Sequence, residues 1–115
     1  MTQQIDTGAK TFTASGTIAR FDRVKFASDK VAVAGASDVD VGVATEAAAA
    51  DDVISVWLRT KQGTMKMKAS AAIATGAEVE AAASGKIVTK SAGTTIGIAL
   101  EAAGADGDII EVLRV

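Results

Sequence analysis

One phrase occurs twice in this chain: Val41-Gly42-Val43-Ala44-Thr45-Glu46-Ala47-Ala48 returns as Ile96-Gly97-Ile98-Ala99-Leu100-Glu101-Ala102-Ala103. An aspartate-bearing loop follows both copies, and then an aliphatic run that begins at Val53 or at Ile109. The likeness continues upstream, so that residues 17–58 correspond to residues 72–114 with a few one-residue slips. Two copies are too few for a solenoid, and the repeat therefore predicts pseudo-twofold symmetry inside one compact domain.

Each copy consists of short β-branched segments separated by Gly, Ser and Asp, a pattern typical of strands joined by turns. Two alanine-rich runs, 46–50 and 101–105, are too short for independent helices and predict a single turn or a loop. The pattern predicts an all-β fold: a small single-domain β-barrel or sandwich built from two pseudo-repeats. The predicted strands are 10–14, 23–27, 30–34, 39–44, 53–60, 64–68, 77–82, 86–90, 95–100 and 108–115.

Composition excludes several classes of function. The chain has 115 residues, a net charge of −2 with both signs scattered, and no His or Cys. Nucleic-acid binding is not expected, since it needs a concentrated positive field. No apolar stretch approaches the ~20 residues that span a bilayer, and the N-terminus lacks signal-peptide features, so we expect no membrane partner and synthesis in the cytoplasm. Without His or Cys the usual nucleophile pairs cannot form, and no enzyme activity or cofactor is expected.

The ordered series of phrases resembles the small head-decoration, or cement, proteins of tailed bacteriophages. The resemblance is carried by the C-terminal stretch from Thr95 to Arg114 and by Ala74-Thr75-Gly76-Ala77-Glu78-Val79 with its following Gly85-Lys86-Ile87-Val88. It covers the chain apart from about the first ten residues. One departure is Phe21, which occupies the turn position where the second copy has Gly76, and it predicts that the first turn is built differently.

The resemblance implies a virion structural protein that binds the outer surface of the capsid and stabilises the expanded head. Its implied partner is the major capsid protein, and its implied state is a homo-oligomer, most simply a trimer. We expect an N-terminal arm at residues 1–9 and one β domain at residues 10–115. The base of a longer head fibre is a further possibility within the virion, weakened by the end of the chain at Val115 in a strand-like run.

The candidate interface residues are chosen by their chemistry. Four cations lie between residues 59 and 68 without an intervening acid, and they predict either contact with an acidic capsid patch or a solvated hairpin. Trp57, the only tryptophan, either meets a neighbouring subunit or covers the core, whereas the three Phe are expected in the core. Two residues of the arm complete the set, which is Gln3, Ile5, Trp57, Arg59, Lys61, Lys66 and Lys68.

The sequence also leaves two other kinds of site open, a modified lysine and a metal site. Met65-Lys66-Met67 resembles the turn of biotin-carrier domains, in which the central lysine is modified at a hairpin tip, although the flanking phrases of that family are missing. Aspartates at 38, 40, 51, 52, 106 and 108 are able to bind a hard cation in principle. Their spacing lacks the order of an EF-hand, so we interpret them as solvated turn acids and expect no metal site.

Overall fold

Ten strands make up the fold in the computed structural model, which describes residues 8–115. The all-β prediction is confirmed: every predicted strand is present, and the two alanine-rich runs form no helix. No helix of the described part is long and apolar enough to cross a membrane. The strands are β1 (Ala9–Thr13), β2 (Arg23–Ala27), β3 (Lys30–Val33), β4 (Gly42–Ala44), β5 (Val53–Leu58), β6 (Met65–Lys68), β7 (Glu78–Ala81), β8 (Ile87–Thr89), β9 (Gly97–Ala99) and β10 (Ile109–Arg114).

The strands form two antiparallel sheets with one shared topology. The first sheet has the order β1-β5-β4-β2-β3 and the second the order β6-β10-β9-β7-β8, so each strand has its counterpart five strands later. An isolated parallel bridge also joins the end of β1 to β3, at Ala14 and Val31, and the end of β6 to β8, at Ala69 and Ile87. We call residues 8–58 the first lobe, residues 65–115 the second lobe and residues 59–64 the connector.

Each lobe has a core of its own. The first core contains Ile18, Val31 and Ile54, and the second contains Met67, Ile87 and Ile110, all fully or almost fully buried. The described chain is elongated, measuring 43 × 27 × 23 Å. Aliphatic side chains, many of them Ala and Val, therefore fill two separate cores, one in each lobe.

The glycine of the repeated phrase is required by close strand pairing. A Cβ on Gly42 would lie 1.9 Å from the carbonyl oxygen of Trp57, and a Cβ on Gly97 would lie 2.9 Å from that of Leu113. In both sheets this glycine pairs with the last residue of the long strand, Leu58 of β5 in the first and Arg114 of β10 in the second. Any larger residue would push the strands apart at this position.

The turn that carries Phe21 is built like its counterpart, contrary to the prediction. The Phe21 amide donates to Ala44 O at 2.9 Å, and the Gly76 amide donates to Ala99 O at 2.7 Å. Both residues have positive φ, 69° for Phe21 and 84° for Gly76. A phenylalanine thus occupies a left-handed conformation that favours glycine, and such residues persist only where their surroundings hold them.

The lobes are joined through different surfaces, so the predicted pseudo-twofold relation is wrong. The Arg23 amide donates to Gly85 O at 3.0 Å, and the Gly85 amide donates to Ala34 O at 2.8 Å. By strand register Glu78 is the counterpart of Arg23. Asp29 is the counterpart of Gly85, because each lies two residues before the residue of the third strand of its lobe that forms the parallel bridge. A twofold axis would bring Glu78 and Asp29 together in the same way, and no such hydrogen bond occurs within residues 8–115.

The cation-rich stretch is not a hairpin. β5 pairs with β1 and β4, whereas β6 pairs with β10, so the two strands on either side of the connector belong to different sheets. Residues 59–64 instead pass from one lobe to the other. The hairpin interpretation of this stretch is therefore wrong.

Candidate functional site

A groove of about 1000 Å³ opens where the two lobes meet, and we call it the lobe groove. The first lobe contributes aromatic rings to its walls, and the second lobe contributes charged side chains from β6, β10 and a nearby turn. The connector forms one end of it. Its lining includes Arg20, Phe21, Trp57, Lys61, Lys66 and Glu111.

Trp57 forms the central aromatic wall of the lobe groove. It is half-buried and packs against the core of the second lobe while its strand belongs to the first. The ammonium nitrogen of Lys61 lies 5.3 Å from the centre of the indole ring, within cation–π range. That ammonium also donates to Gln62 O and Thr64 O, both at 2.9 Å. The connector thus fixes Lys61 over the ring. Trp57 covers the core of the second lobe and also lines an open surface, while its contact with a neighbouring subunit stays a prediction.

Phe21 and Arg20 repeat this arrangement on the first lobe. The guanidinium carbon of Arg20 lies 4.6 Å from the centre of the Phe21 ring, and its Nε donates to Thr45 O at 3.2 Å. The Phe21 ring packs against the core of the second lobe. Two aromatic rings, each with a cation over it, therefore stand on the same side of the groove.

Lys66 supplies an unpaired cation to the opposite wall. It is exposed in the middle of β6, with Glu111 as its cross-strand neighbour, and among the described residues it forms no ion pair. Glu111 accepts a 2.6 Å hydrogen bond from the Thr64 hydroxyl. Both Met65 and Met67 point into the core. Lys66 therefore does not lie at a hairpin tip, and the feature on which the biotin-carrier resemblance depended is missing.

The remaining interface candidates are distributed elsewhere. Arg59 lines a smaller groove of about 540 Å³ on another side of the lobe junction. Lys68 is half-buried and pairs with Asp22 of the first lobe at 2.8 Å. Gln3 and Ile5 lie outside the described residues. The structure therefore brings together Trp57, Lys61 and Lys66 and separates Arg59 and Lys68 from them.

Sequence reasoning missed the buried ion cluster that joins the lobes. Arg23 is fully buried, and its Nε donates to Lys86 O at 3.0 Å while Nη2 donates to Ala82 O at 2.7 Å and to Gly35 O at 3.1 Å. Its Nη1 lies 3.9 Å from Asp40 Oδ1, too far for a hydrogen bond, and has no partner within the described chain. Burial lowers the pKa of the Arg23 guanidinium, and the charge of Asp40 opposes that shift.

Asp40 is held in place by a second arginine. Arg114 donates from Nη1 and Nη2 to the two carboxylate oxygens of Asp40, both at 3.0 Å. This bidentate pair crosses from the second lobe to the first, and Asp40 is buried rather than solvated as predicted. Bidentate arginine–carboxylate pairs fix geometry as well as charge.

The other aspartates support loops. Asp51 pairs with Lys30 and Asp106 with Lys86, each at 2.7 Å, at equivalent places in the two lobes. The carboxylate of Asp38 accepts the Gly35 amide at 2.7 Å and pairs with Lys25 at 2.9 Å. The Gly35 amide and Lys25 hold the pKa of Asp38 below its usual range, and Lys30 does the same for the pKa of Asp51. Within residues 8–115 no three acidic side chains gather in a way that suits a metal ion.

Comparison with known proteins shows similarity to one family and to solved structures. Residues 3–114 match the model of a family described as phage cement protein. Among solved structures, the head fiber gp8.5 N base in bacteriophage phi29 superposes with a TM-score of 0.77, covering 93% of this chain and 92% of that chain at 17% identity. At that identity the likeness shows the fold alone. No curated protein matches the chain.

Proposed function

The chain belongs to the family of phage cement proteins, and from this premise we propose that it binds the outer surface of the expanded phage capsid and stabilises the head. Family membership makes it a capsid-associated structural protein of a virion. The proposal adds that the protein binds the outer surface of the shell, that the shell is in its expanded state, and that binding stabilises it. Synthesis in the host cytoplasm and the absence of nucleic-acid, membrane and catalytic roles belong to the same proposal.

The observation that carries the proposal is the lobe groove. Trp57 and Phe21 offer large rings at an open surface, and tryptophan and arginine are the residues most enriched among interface hot spots. Both rings already carry cations, and Lys66 adds a charge without an ion-pair partner in the described chain. A surface of the major capsid protein that presents acidic side chains beside an apolar residue would complement this groove in charge and in shape.

Stabilisation follows from binding across subunit boundaries. A contact of roughly 800 Å² per partner is enough for a stable interface. A protein that binds two neighbouring capsid subunits favours the assembled state by mass action, because only that state presents both surfaces at once. A trimer would engage several subunits and gain avidity without any new contact.

The test measures the binding of charge-reversal variants to purified expanded capsids. We expect Lys61→Glu combined with Lys66→Glu to weaken capsid binding at least about tenfold, because two hot-spot cations are reversed. Lys90→Glu is the control, since Lys90 is an exposed cation outside the groove. Bound wild-type protein should raise the temperature at which capsids disassemble. Equal binding by the double variant and the control would reject the groove as the contact, and unchanged disassembly would reject the stabilising role.

A second candidate, the base of a head fibre, is favoured by the similarity in fold to the phi29 head fiber base. It shares the capsid location but predicts a longer product in the virion. Mass spectrometry of virion proteins separates the two functions. A polypeptide of 11.5 kDa supports the cement role, and a larger polypeptide containing this sequence supports the fibre role.

A further inference from the structure

The joint between the lobes uses two surfaces that each have a counterpart elsewhere in the chain. On the first lobe, Val43, Trp57 and Phe21 form what we call the joining face, which covers the second lobe. On the second lobe, the covered surface includes the β7–β8 turn, where the carbonyl oxygens of Ala82, Gly85 and Lys86 accept the hydrogen bonds of Arg23. This surface continues to the adjacent meeting of β6 and β8 at Ala69 and Ile87, and we call the whole of it the seam. The repeat places a second joining face on the second lobe and a second seam on the first lobe.

The second joining face is apolar and uncovered within the described chain. Cross-strand register makes Ile98 the counterpart of Val43 and Leu113 the counterpart of Trp57, because Val43 pairs with Trp57 in the first sheet and Ile98 pairs with Leu113 in the second. Val43 is fully buried, whereas Leu113 is 41% exposed. Leu100, beside them, is equally exposed and stands where the first lobe has Thr45. This face is more aliphatic than its covered counterpart although it meets water.

The seam of the first lobe is also apolar and uncovered. The bridge between Ala14 and Val31 marks it, as the bridge between Ala69 and Ile87 marks the covered seam. Phe26 pairs with Val31 across the strands and is 59% exposed, so its predicted place in the core is wrong. Its ring contacts the ring of Phe12 edge-on, with centroids 5.7 Å apart. The counterpart of Phe12 in the second lobe is Met67, which is fully buried.

We infer that a second copy of this chain covers these faces, with the joining face around Leu113 of one copy packed on the Phe12–Phe26 seam of the next. This rests on the proposed function, in which a homo-oligomer gains avidity for the capsid, and names the surfaces that would hold the copies together. A copy of this chain supplies both faces at once, and the internal joint shows that faces of this kind pack on each other in this fold. Contacts of this head-to-tail type close into a ring or continue as a filament.

The joint between copies differs from the internal one in its polar part. Glu78 stands where the internal joint has Arg23, and Asp29 stands where it has Gly85. A Cβ on Gly85 would lie 3.0–3.1 Å from atoms of the first lobe, so the aspartate would crowd an identical joint, and the two acids would repel each other. The contact between copies therefore rests on the apolar side chains and meets at another angle.

Disulfide trapping tests which faces meet, because the wild-type chain contains no cysteine. A variant with Phe26→Cys and Leu113→Cys should form cross-linked dimers and larger species under mild oxidation, and neither single variant should. A control with Val39→Cys in place of Phe26→Cys offers a thiol at a more exposed position, on a loop outside the seam, and should stay uncross-linked. Efficient cross-linking by Leu113→Cys alone, or equal cross-linking by the control, would overturn the head-to-tail arrangement.

Sedimentation with Leu113→Glu separates this inference from the proposed function. We expect the substitution to weaken self-association at least about tenfold, since a charge at the centre of an apolar contact is left unpaired. The fold should be retained, because Leu113 lies on the outside of β10. A wild-type chain that stays single while it binds capsids overturns the inference and leaves the cement function standing. Loss of capsid binding with self-association unchanged also overturns it, because the face would then meet the capsid.

Discussion

Replacing Arg23 by methionine removes the guanidinium that connects the two lobes and keeps a side chain of similar length. Of its three acceptors, Lys86 O retains a bond from the Ala82 amide, and Gly35 O retains a long one from the Asp38 amide. Ala82 O has no other donor among the described hydrogen bonds. Asp40 keeps its bidentate pair with Arg114. The substitution thus leaves one buried carbonyl unpaired and two others with one bond fewer.

The magnitude follows from these losses and one gain. An unpaired buried carbonyl costs about 1–3 kcal/mol, and each of the two lost bonds contributes about 0.5–1.5 kcal/mol. The gain arises because methionine carries no charge, so the variant avoids the free-energy cost of desolvating a guanidinium, and this offsets part of the loss. We expect a net destabilisation of about 2–4 kcal/mol, or a Tm lower by about 8–16 °C at roughly 4 °C per kcal/mol for a domain of this size.

Urea unfolding followed by Trp57 fluorescence measures this directly, because the only tryptophan lies at the junction of the lobes. Arg59→Met is the matched control, since the Arg59 side chain enters no ion pair or side-chain hydrogen bond of the described residues, and it should change stability by less than about 0.5 kcal/mol. An Arg23→Met protein as stable as wild type, or more stable, would refute the reasoning. The buried charge would then cost as much to desolvate as its bonds return.

Three further outcomes are expected from the same unfolding assay. Gly42→Ala should destabilise by about 3 kcal/mol or more, since its Cβ meets a backbone carbonyl, whereas Gly16→Ala, with open space around it, should be nearly neutral; equal effects would contradict the strand-contact argument. Gly76→Ala should cost about 1 kcal/mol through its positive φ alone, and a loss as large as that at Gly42 would show an unrecognised clash. The pKa of Asp38 is lowered from its ordinary value of 3.8, so its carboxylate stabilises the fold above that pH, and this stability is lost as the pH falls through the pKa of the folded state. Asp38→Asn should therefore make the free energy of unfolding decline less steeply below about pH 4. A decline parallel to that of the wild type would contradict this.

The strands and their repetition could be predicted from the sequence because they depend on local pattern. Alternating burial marks a strand wherever one face meets a core, and the glycine between two aliphatic residues reflects a strand contact that both lobes require at Gly42 and Gly97. The order of the phrases was enough to indicate the family. These features do not depend on how one lobe is placed against the other.

The relation between the lobes could not be predicted, because it depends on contacts between residues far apart in the chain. Arg23 at the start of a short strand has the pattern of a solvated cation, and its acceptors are backbone carbonyls that leave no trace in the sequence. Phe26 lies on the core-facing side of β2 but near its end, where the lobe is open. The one sequence sign of an unusual backbone was Phe21, which stands where the second copy has glycine. The sequence alone does not show that Phe21 keeps the same turn with a positive φ.

Only part of the candidate site could be predicted, because the groove is formed by residues that lie far apart in the chain. The aromatic and cationic residue types were recognised, yet Arg20 and Phe21 lie far along the chain from the connector and were not associated with it. Lys61 and Lys66 reach the groove because the connector and β6 pass along it, whereas Arg59 and Lys68, only a few residues away, point to other parts of the junction.

Co-sedimentation with capsids of the matching major capsid protein tests the central claim most directly. We expect saturable binding to expanded shells, at a number of copies set by the capsid lattice, and little binding to shells that have not expanded. Binding that never saturates, binding only to unexpanded shells, or no binding to either would contradict a cement function for this chain.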